Sequence, residues 1–156
     1  MGQCMRTSAQ GIKLIHERES CVLTPYRDTK GVWTDGFGNT EGVIPYGPPI
    51  TQEKADADFA RHLVRFEKAI NDAVQVPLEQ NQYDALVSFS YNCGARALAY
   101  GNNGGPSSIL RALNAGDYRG AGLAFNNWMA DPEVRTRRAG ERDQFLGVAF
   151  EPRRPV

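Results

Sequence analysis

The chain has 156 residues, enough for one domain with a real core or for two small lobes sharing a helix. Hydrophobic residues make up 41% and charged residues 23%, and 18 acidic residues balance 18 basic ones, an ordinary globular composition. That balance excludes a general nucleic-acid binder, which needs surplus Lys and Arg; the three cysteines form neither a CxxC nor a disulfide framework, so a reduced chain is expected.

Ser8 can cap a first helix in which Ile12 and Ile15 share a face, and the pattern carries it to about Glu19. Only a short, mostly polar or small stretch precedes this helix, and no apolar run has the length of a membrane span or a signal segment. From Cys21 to Tyr46 the pattern changes. β-Branched and aromatic residues are broken by Pro25, Gly31, Asp35-Gly36, Gly38, Gly42 and Pro45, which predicts short strands joined by tight turns. So small a β lobe cannot stand alone and must lean on helices.

From Thr51, Phe59, His62, Leu63, Phe66, Ile70 and Val74 recur at three and four, which predicts a helix of about 24 residues capped by Thr51 and about 36 Å long. Pro77 is read as the opening of the next helix, with Tyr83, Leu86, Val87 and Phe89 inward and Gly94 closing it. Gly101 to Pro106 reads as a loop. Ser107 caps a helix ended by Gly116, Asp117 caps another reaching Trp128, and Asp131-Pro132 starts a last one through Leu146, ended by Gly147. Cys21 and Cys93 are expected in the core. From Arg135 onward six arginines face three acids, a local excess of three positive charges that suits a solvated helix face or a patch held near an anionic wall.

The chemistry concentrates in Glu19 to Thr40. A carboxyl at a helix end, a second carboxyl nine residues on and a hydroxyl six beyond that suit hydrolysis of a glycosidic bond. Glu19 is expected to face a cleft between lobes, where partial burial would keep a proton on a carboxyl. Tyr26 and Asp28 alternate onto one face; Asp28 then stabilises positive charge on the sugar or helps activate water, or else is a turn aspartate bonding to backbone. Thr34 places a hydroxyl where it could orient water. Gly36 and Gly38 would allow close approach of a sugar chain, and Tyr26, Phe37 and Asn39 are expected beside them as substrate contacts.

This segment resembles the catalytic region of the phage-type lysozymes, the endolysins of glycoside hydrolase family 24. The family pattern is a Glu, eight residues, an Asp, five residues, then a Thr followed by Gly-aromatic-Gly, and Glu19, Asp28, Thr34 and Gly36-Phe37-Gly38 fill it in register. Further blocks agree: Gly11 to Ile15, Ile50-Thr51, Pro77 to Gly94, Leu113-Asn114 through Asp117, Trp128, Arg137-Arg138 with Glu141-Arg142, and Phe145 to Gly147. The resemblance spans about residues 11 to 147. It implies a lysozyme-like α+β fold, mostly helical, as a single lysozyme-like domain: a β lobe over about 21–48, a linking helix over about 51–75 and a helical lobe over about 77–147.

It also implies a muramidase that cleaves between N-acetylmuramic acid and N-acetylglucosamine in peptidoglycan, with Glu19, Asp28 and Thr34 catalytic. No cofactor and no metal are expected, nor nucleic acid or stable membrane insertion. The chain is expected as a monomer in the host cytoplasm until a holin or other permeabiliser admits it to the periplasmic peptidoglycan. A late arginine often pairs with the catalytic Glu in such folds, which points to Arg138 or Arg142, with a helix-surface pair to Glu141 or Asp143 as an equal alternative for either. Departures from the family pattern are Ser20 in place of a Gly, Asn39 in place of a frequent His, and Asp35 in place of an apolar residue, whose charge would hold a proton on Glu19 more firmly.

Other chemistries fit less well. A zinc amidase needs about three ligands at defined spacing, and His16 and His62 stand on separate helices without an HExxH. Cys93 lacks the setting of a cysteine peptidase nucleophile. A non-catalytic wall-binding module on the same fold would be expected to lack Glu19 or Thr34, and both are present.

Overall fold

The computed structural model describes residues 4–101 and 104–147. Helix α1 (Ala9–Arg18) opens on Ser8, whose hydroxyl accepts from the Gly11 N–H, and it closes on Glu19, whose N–H donates to the Ile15 carbonyl. The closing matters because Glu19 takes an extended conformation (φ −102°, ψ 138°), so the chain turns directly out of the helix into the β lobe. Strands β1 (Val22–Arg27) and β2 (Trp33–Gly36) pair antiparallel, with Tyr26 opposite Thr34 and Arg27 opposite Trp33. The sheet has two strands, and a single bridge joins Asp35 to Asn39 beyond it. The rest of the β lobe is turns, closed by the Ile50 N–H donating to the Leu23 carbonyl at 2.9 Å.

Helix α2 (Gln52–Ala73) is capped by Thr51 and runs 22 residues; it buries Phe59, Leu63, Phe66 and Ile70 on one face. Helix α3 (Gln80–Cys93) begins later than the Pro77 expected from sequence. Its start is fixed by Glu79, whose N–H is accepted by the Gln82 side chain at 2.9 Å, while the Pro77 carbonyl accepts from the Tyr118 hydroxyl at 2.7 Å. Helix α3 is buried almost all round from Tyr83 to Ser90 and carries no amphipathic stripe, as suits the central helix of a lobe. Around it lie α4 (Ser108–Asn114), α5 (Tyr118–Ala124), a 3-10 turn (Phe125–Trp128) and α6 (Pro132–Leu146). The expected caps Ser107, Asp117, Asp131 and Gly147 are all in place. The exception is the helix expected to reach Trp128, which tightens to 3-10 geometry after Ala124. Arg153 and Arg154 of the basic end, and Asn102 and Asn103 of the expected loop, lie outside the described residues.

Two contacts fix α1 and the β lobe to the helices. A Cβ at Gly11 would sit 2.5 Å from the Asp84 carboxyl carbon, so α1 crosses α3 at a distance only Gly permits. His16 stacks flat on Phe37 at 4.3 Å and meets Phe59 edge-on at 4.4 Å, and Phe59 in turn packs against Tyr91 at 5.2 Å. One aromatic cluster therefore joins α1, the loop after β2, α2 and α3. Cys21 and Cys93 are half-buried at the edge of the core, not inside it as expected, and both thiols are free.

Candidate active site

The extended exit from α1 carries Glu19 to the wall of a cleft of about 580 Å³ between the β lobe and the helices. Phe37 and Gly38 line it from the loop after β2, His62, Arg65 and Phe66 from α2, and Tyr91 to Gly94 from the end of α3. The Tyr91 hydroxyl donates to the Phe37 carbonyl at 2.5 Å, tying α3 to the β lobe across the base of the cleft. Burial, and after it the charge of Glu19, raises the Tyr91 phenol well above its ordinary range, so it remains a donor.

Glu19 is held from far along the chain. Its side chain is 20% exposed, and Oε1 accepts from Arg137 Nη1 at 2.6 Å. Oε2 has no hydrogen-bond partner among the described residues. Arg137, not Arg138 or Arg142, is the late arginine, and those two make the alternative pairs with Glu141 and Asp143. The reason is the phase of α6, which turns Arg138, Glu141 and Phe145 into the core. Arg138 is 1% exposed, stacks over the Phe89 ring at 5.2 Å and bonds Glu141 and Asn92, whereas Arg142 reaches outward to Asn126. Arg137, one step round the helix, reaches Glu19 and also donates to the Ser88 carbonyl at 2.9 Å. Glu141, fully buried, lies 3.8 Å from Arg137 Nε. Arg18 completes this group, donating to Ser88 and Gln144; burial, then the Arg137 charge, lowers it to about 10.

Asp28 and Thr34 are held locally. Asp28 follows β1, and its Oδ1 accepts the N–H groups of Lys30 at 2.8 Å and Val32 at 2.9 Å, the turn-aspartate geometry. The Val32 carbonyl accepts from the Asp28 N–H and from the Thr34 hydroxyl at 3.0 Å, so one peptide unit fixes both residues. Thr34 is 3% exposed. Its only proton is on Val32, so towards anything else it can only accept. Neither residue lines the cleft; Asp28 borders it through Lys30, which does. Burial, then Asp28, then Glu19, raises the Tyr26 phenol.

Two expected sugar contacts, Gly36 and Asn39, are buried. Gly36 (φ +57°) is buried, and a Cβ there would meet Ala55 at 3.3 Å, so it shapes the turn against α2. Asn39 is 2% exposed and its amide donates to Asp35 at 2.8 Å and to the Glu41 carbonyl, while its oxygen faces His62 Nε2 at 2.9 Å. It braces the loop; Asp35, the other departure, is its buried partner. His62 lies at the cleft with its pKa lowered, chiefly by burial. Among the described residues no group of three or more His, Cys, Asp or Glu could hold a metal ion.

A phage lysozyme family model matches residues 16–141, a span that contains Glu19, Asp28, Thr34 and Arg137. The chain belongs to the phage lysozyme family. It is 38% identical over 150 residues to the endolysin of Salmonella phage P22, covering 91% of this chain and 99% of that one. Among solved structures, the muramidase domain of SpmX from Asticaccaulis excentricus superposes with a TM-score of 0.80 at 34% identity, covering 90% of this chain and 97% of that one. The endolysin from Escherichia coli O157:H7 phage FAHEc1 gives 0.84 at 29% identity, covering 97% and 99%. The fold is thus lysozyme-like α+β, and the enzyme is a glycoside hydrolase of the lysozyme type, an endolysin whose substrate is peptidoglycan.

Proposed function

We propose that Glu19, Asp28 and Thr34 carry out hydrolysis of the β-1,4 bond between N-acetylmuramic acid and N-acetylglucosamine. The observation that carries this reading is Glu19 on the cleft wall, with Oε1 fixed by Arg137 and Oε2 left without a partner. A proton on Oε2 is the one delivered to the leaving glycosidic oxygen as the bond to the anomeric carbon breaks. Water supplies the new bond to that carbon and gives up its own proton to solvent. Thr34, able only to accept, holds a water hydrogen and not a substrate oxygen; without a base beside it, it is a poor nucleophile. Asp28 keeps its negative charge near the developing positive sugar, anchored by two N–H groups.

Tyr26, Phe37 and Gly38 are the sugar contacts that this reading retains. Release of reducing ends from purified peptidoglycan tests it: the parent should release them, and Glu19→Gln should not. Release of free amino groups without reducing ends would replace the muramidase by an amidase.

The same proposal extends to release. No described helix is long and apolar enough to cross a membrane, and relatives are named both endolysin and SAR-endolysin. The resemblance supports a monomer that waits in the host cytoplasm and reaches the wall through a holin-type permeabiliser. Expression in an intact Gram-negative cell should then lyse it slowly or not at all, and co-expression of a permeabiliser should lyse it at once. Prompt lysis by the chain alone would overturn this part.

A further inference from the structure

The helical core behind Glu19 holds more positive charge than negative. The guanidiniums of Arg18, Arg137 and Arg138 meet the carboxylates of Glu19 and Glu141, and all five side chains are buried or half-buried. The surplus is felt at Arg18, which bonds Ser88 and Gln144 but no carboxylate: burial, then the Arg137 charge, lowers it to about 10. A proton donor in such a place faces a conflict. The Arg137 cation beside it favours the carboxylate, whereas the reaction needs the acid form.

Glu141 of α6 is fully buried, so it touches no substrate. Its Oε1 bonds Arg138, but Oε2 has no hydrogen-bond partner among the described residues and lies 3.8 Å from Arg137 Nε, which has none either. Nη1 of the same guanidinium holds Glu19. We propose that Glu141 is a positioning residue for the proton transfer: it takes one flank of Arg137 as Glu19 takes another, so that one cation is divided between two carboxylates and Glu19 keeps the proton it must deliver. The inference rests on the reading of Glu19 as the proton donor. Other groups around Glu19 act less strongly. Glu17 of α1 is exposed beside Arg18. Burial raises the Tyr26 and Tyr91 phenols and the Cys93 thiol, which stay neutral, and Cys21 is a free thiol. Across the cleft Asp28 is tied to its own turn, Glu41 faces Arg61, His62 is lowered, and Lys30 and Arg65 are exposed, where solvent and salt screen them.

Initial rates on soluble peptidoglycan fragments at low concentration, which read kcat/KM, test this through the alkaline limb of the pH profile, where the donor loses its proton. Glu141→Gln should move that limb down by about one pH unit, because the negative charge opposing ionisation is gone. Glu141→Asp, shortened but still charged, should keep the parent limb. Arg18→Met removes a cation and orphans no carboxylate, so the limb should move up, by about half a unit. Asp84→Asn, at a buried carboxylate bonded to Ser8 and Gln80 at the far end of α1, should lower the unfolding midpoint without moving the limb. Lost packing lowers the rate at every pH and cannot shift the limb in opposite directions. An unmoved limb in Glu141→Gln, or equal shifts in Glu141→Gln and Glu141→Asp, overturns the proposal. Should Glu141→Gln fail to fold, Arg18→Met decides, and an unmoved or lowered limb there overturns it. A parent without an alkaline limb, or an active Glu19→Gln, means instead that Glu19 is not the donor.

Discussion

Glu19 and the pair Asp28 and Thr34 lie within sixteen positions of one another, yet they are held by opposite means. Glu19 depends on Arg137, 118 positions away, and through it on the Glu141 and Ser88 of two other helices. Asp28 and Thr34 depend on Lys30 and Val32, all within one hairpin. Glu19 is positioned by the assembled helical core, and Asp28 and Thr34 by a turn that needs only its own backbone. The two groups should therefore respond differently when the molecule is perturbed.

The largest effect is expected at Glu19. Glu19→Gln keeps an acceptor for Arg137 but has no proton to deliver, so turnover on peptidoglycan should fall at least about a hundredfold with little change in the unfolding midpoint. Activity within tenfold of the parent would break the assignment. Arg137→Met should come next, and it should lower stability as well as rate: Glu19 and the buried Glu141 both lose a neighbour, at a cost of about 3 kcal/mol in denaturant unfolding. In contrast, Asp28→Asn keeps Oδ1 for both N–H groups and should leave stability within about 1 kcal/mol while slowing turnover. If Arg137→Met and Asp28→Asn destabilise alike, the contrast between core-held and hairpin-held groups is lost.

This contrast also explains what the sequence revealed. The local placement of Glu19, Asp28 and Thr34 was legible because the turn that fixes the second and third is encoded within the segment itself, and because Glu19 ends a helix whose cap and apolar face are both local. The partner of Glu19 was not legible in the same way. Choosing among Arg137, Arg138 and Arg142 requires the phase of α6. Counting back seven from Phe145 would have sent Arg138 inward and left Arg137 at its side. Gly36 and Asn39 were taken for sugar contacts because a glycine-rich loop beside an acid looks like a binding edge. Their burial, against α2 for Gly36 and beside Asp35 for Asn39, is not visible before packing. The delayed start of α3 has the same character, since Pro77 is a good opening residue but Glu79 and Gln82 form the cap.

A smaller effect sharpens the comparison at the point where α2 meets the hairpin loop. Burial lowers the His62 pKa below its ordinary 6.5, so the unfolded chain binds the proton more tightly than the folded one. The contribution of His62 to stability is full above pH 6.5 and is lost as pH falls through the lowered folded value. His62→Gln should flatten that part of the stability profile, read by denaturant midpoints at successive pH. An unchanged slope would mean that the ring is not held neutral against Asn39.

The central claim is that the hairpin holds a water and not a nucleophile opposite Glu19. Proton NMR of the first sugar anomer released, recorded before mutarotation, tests it most directly. Direct attack by water inverts the anomeric carbon, so the account predicts the α anomer from a β-linked strand. A first product in the β configuration would contradict it and would require a covalent intermediate on the enzyme.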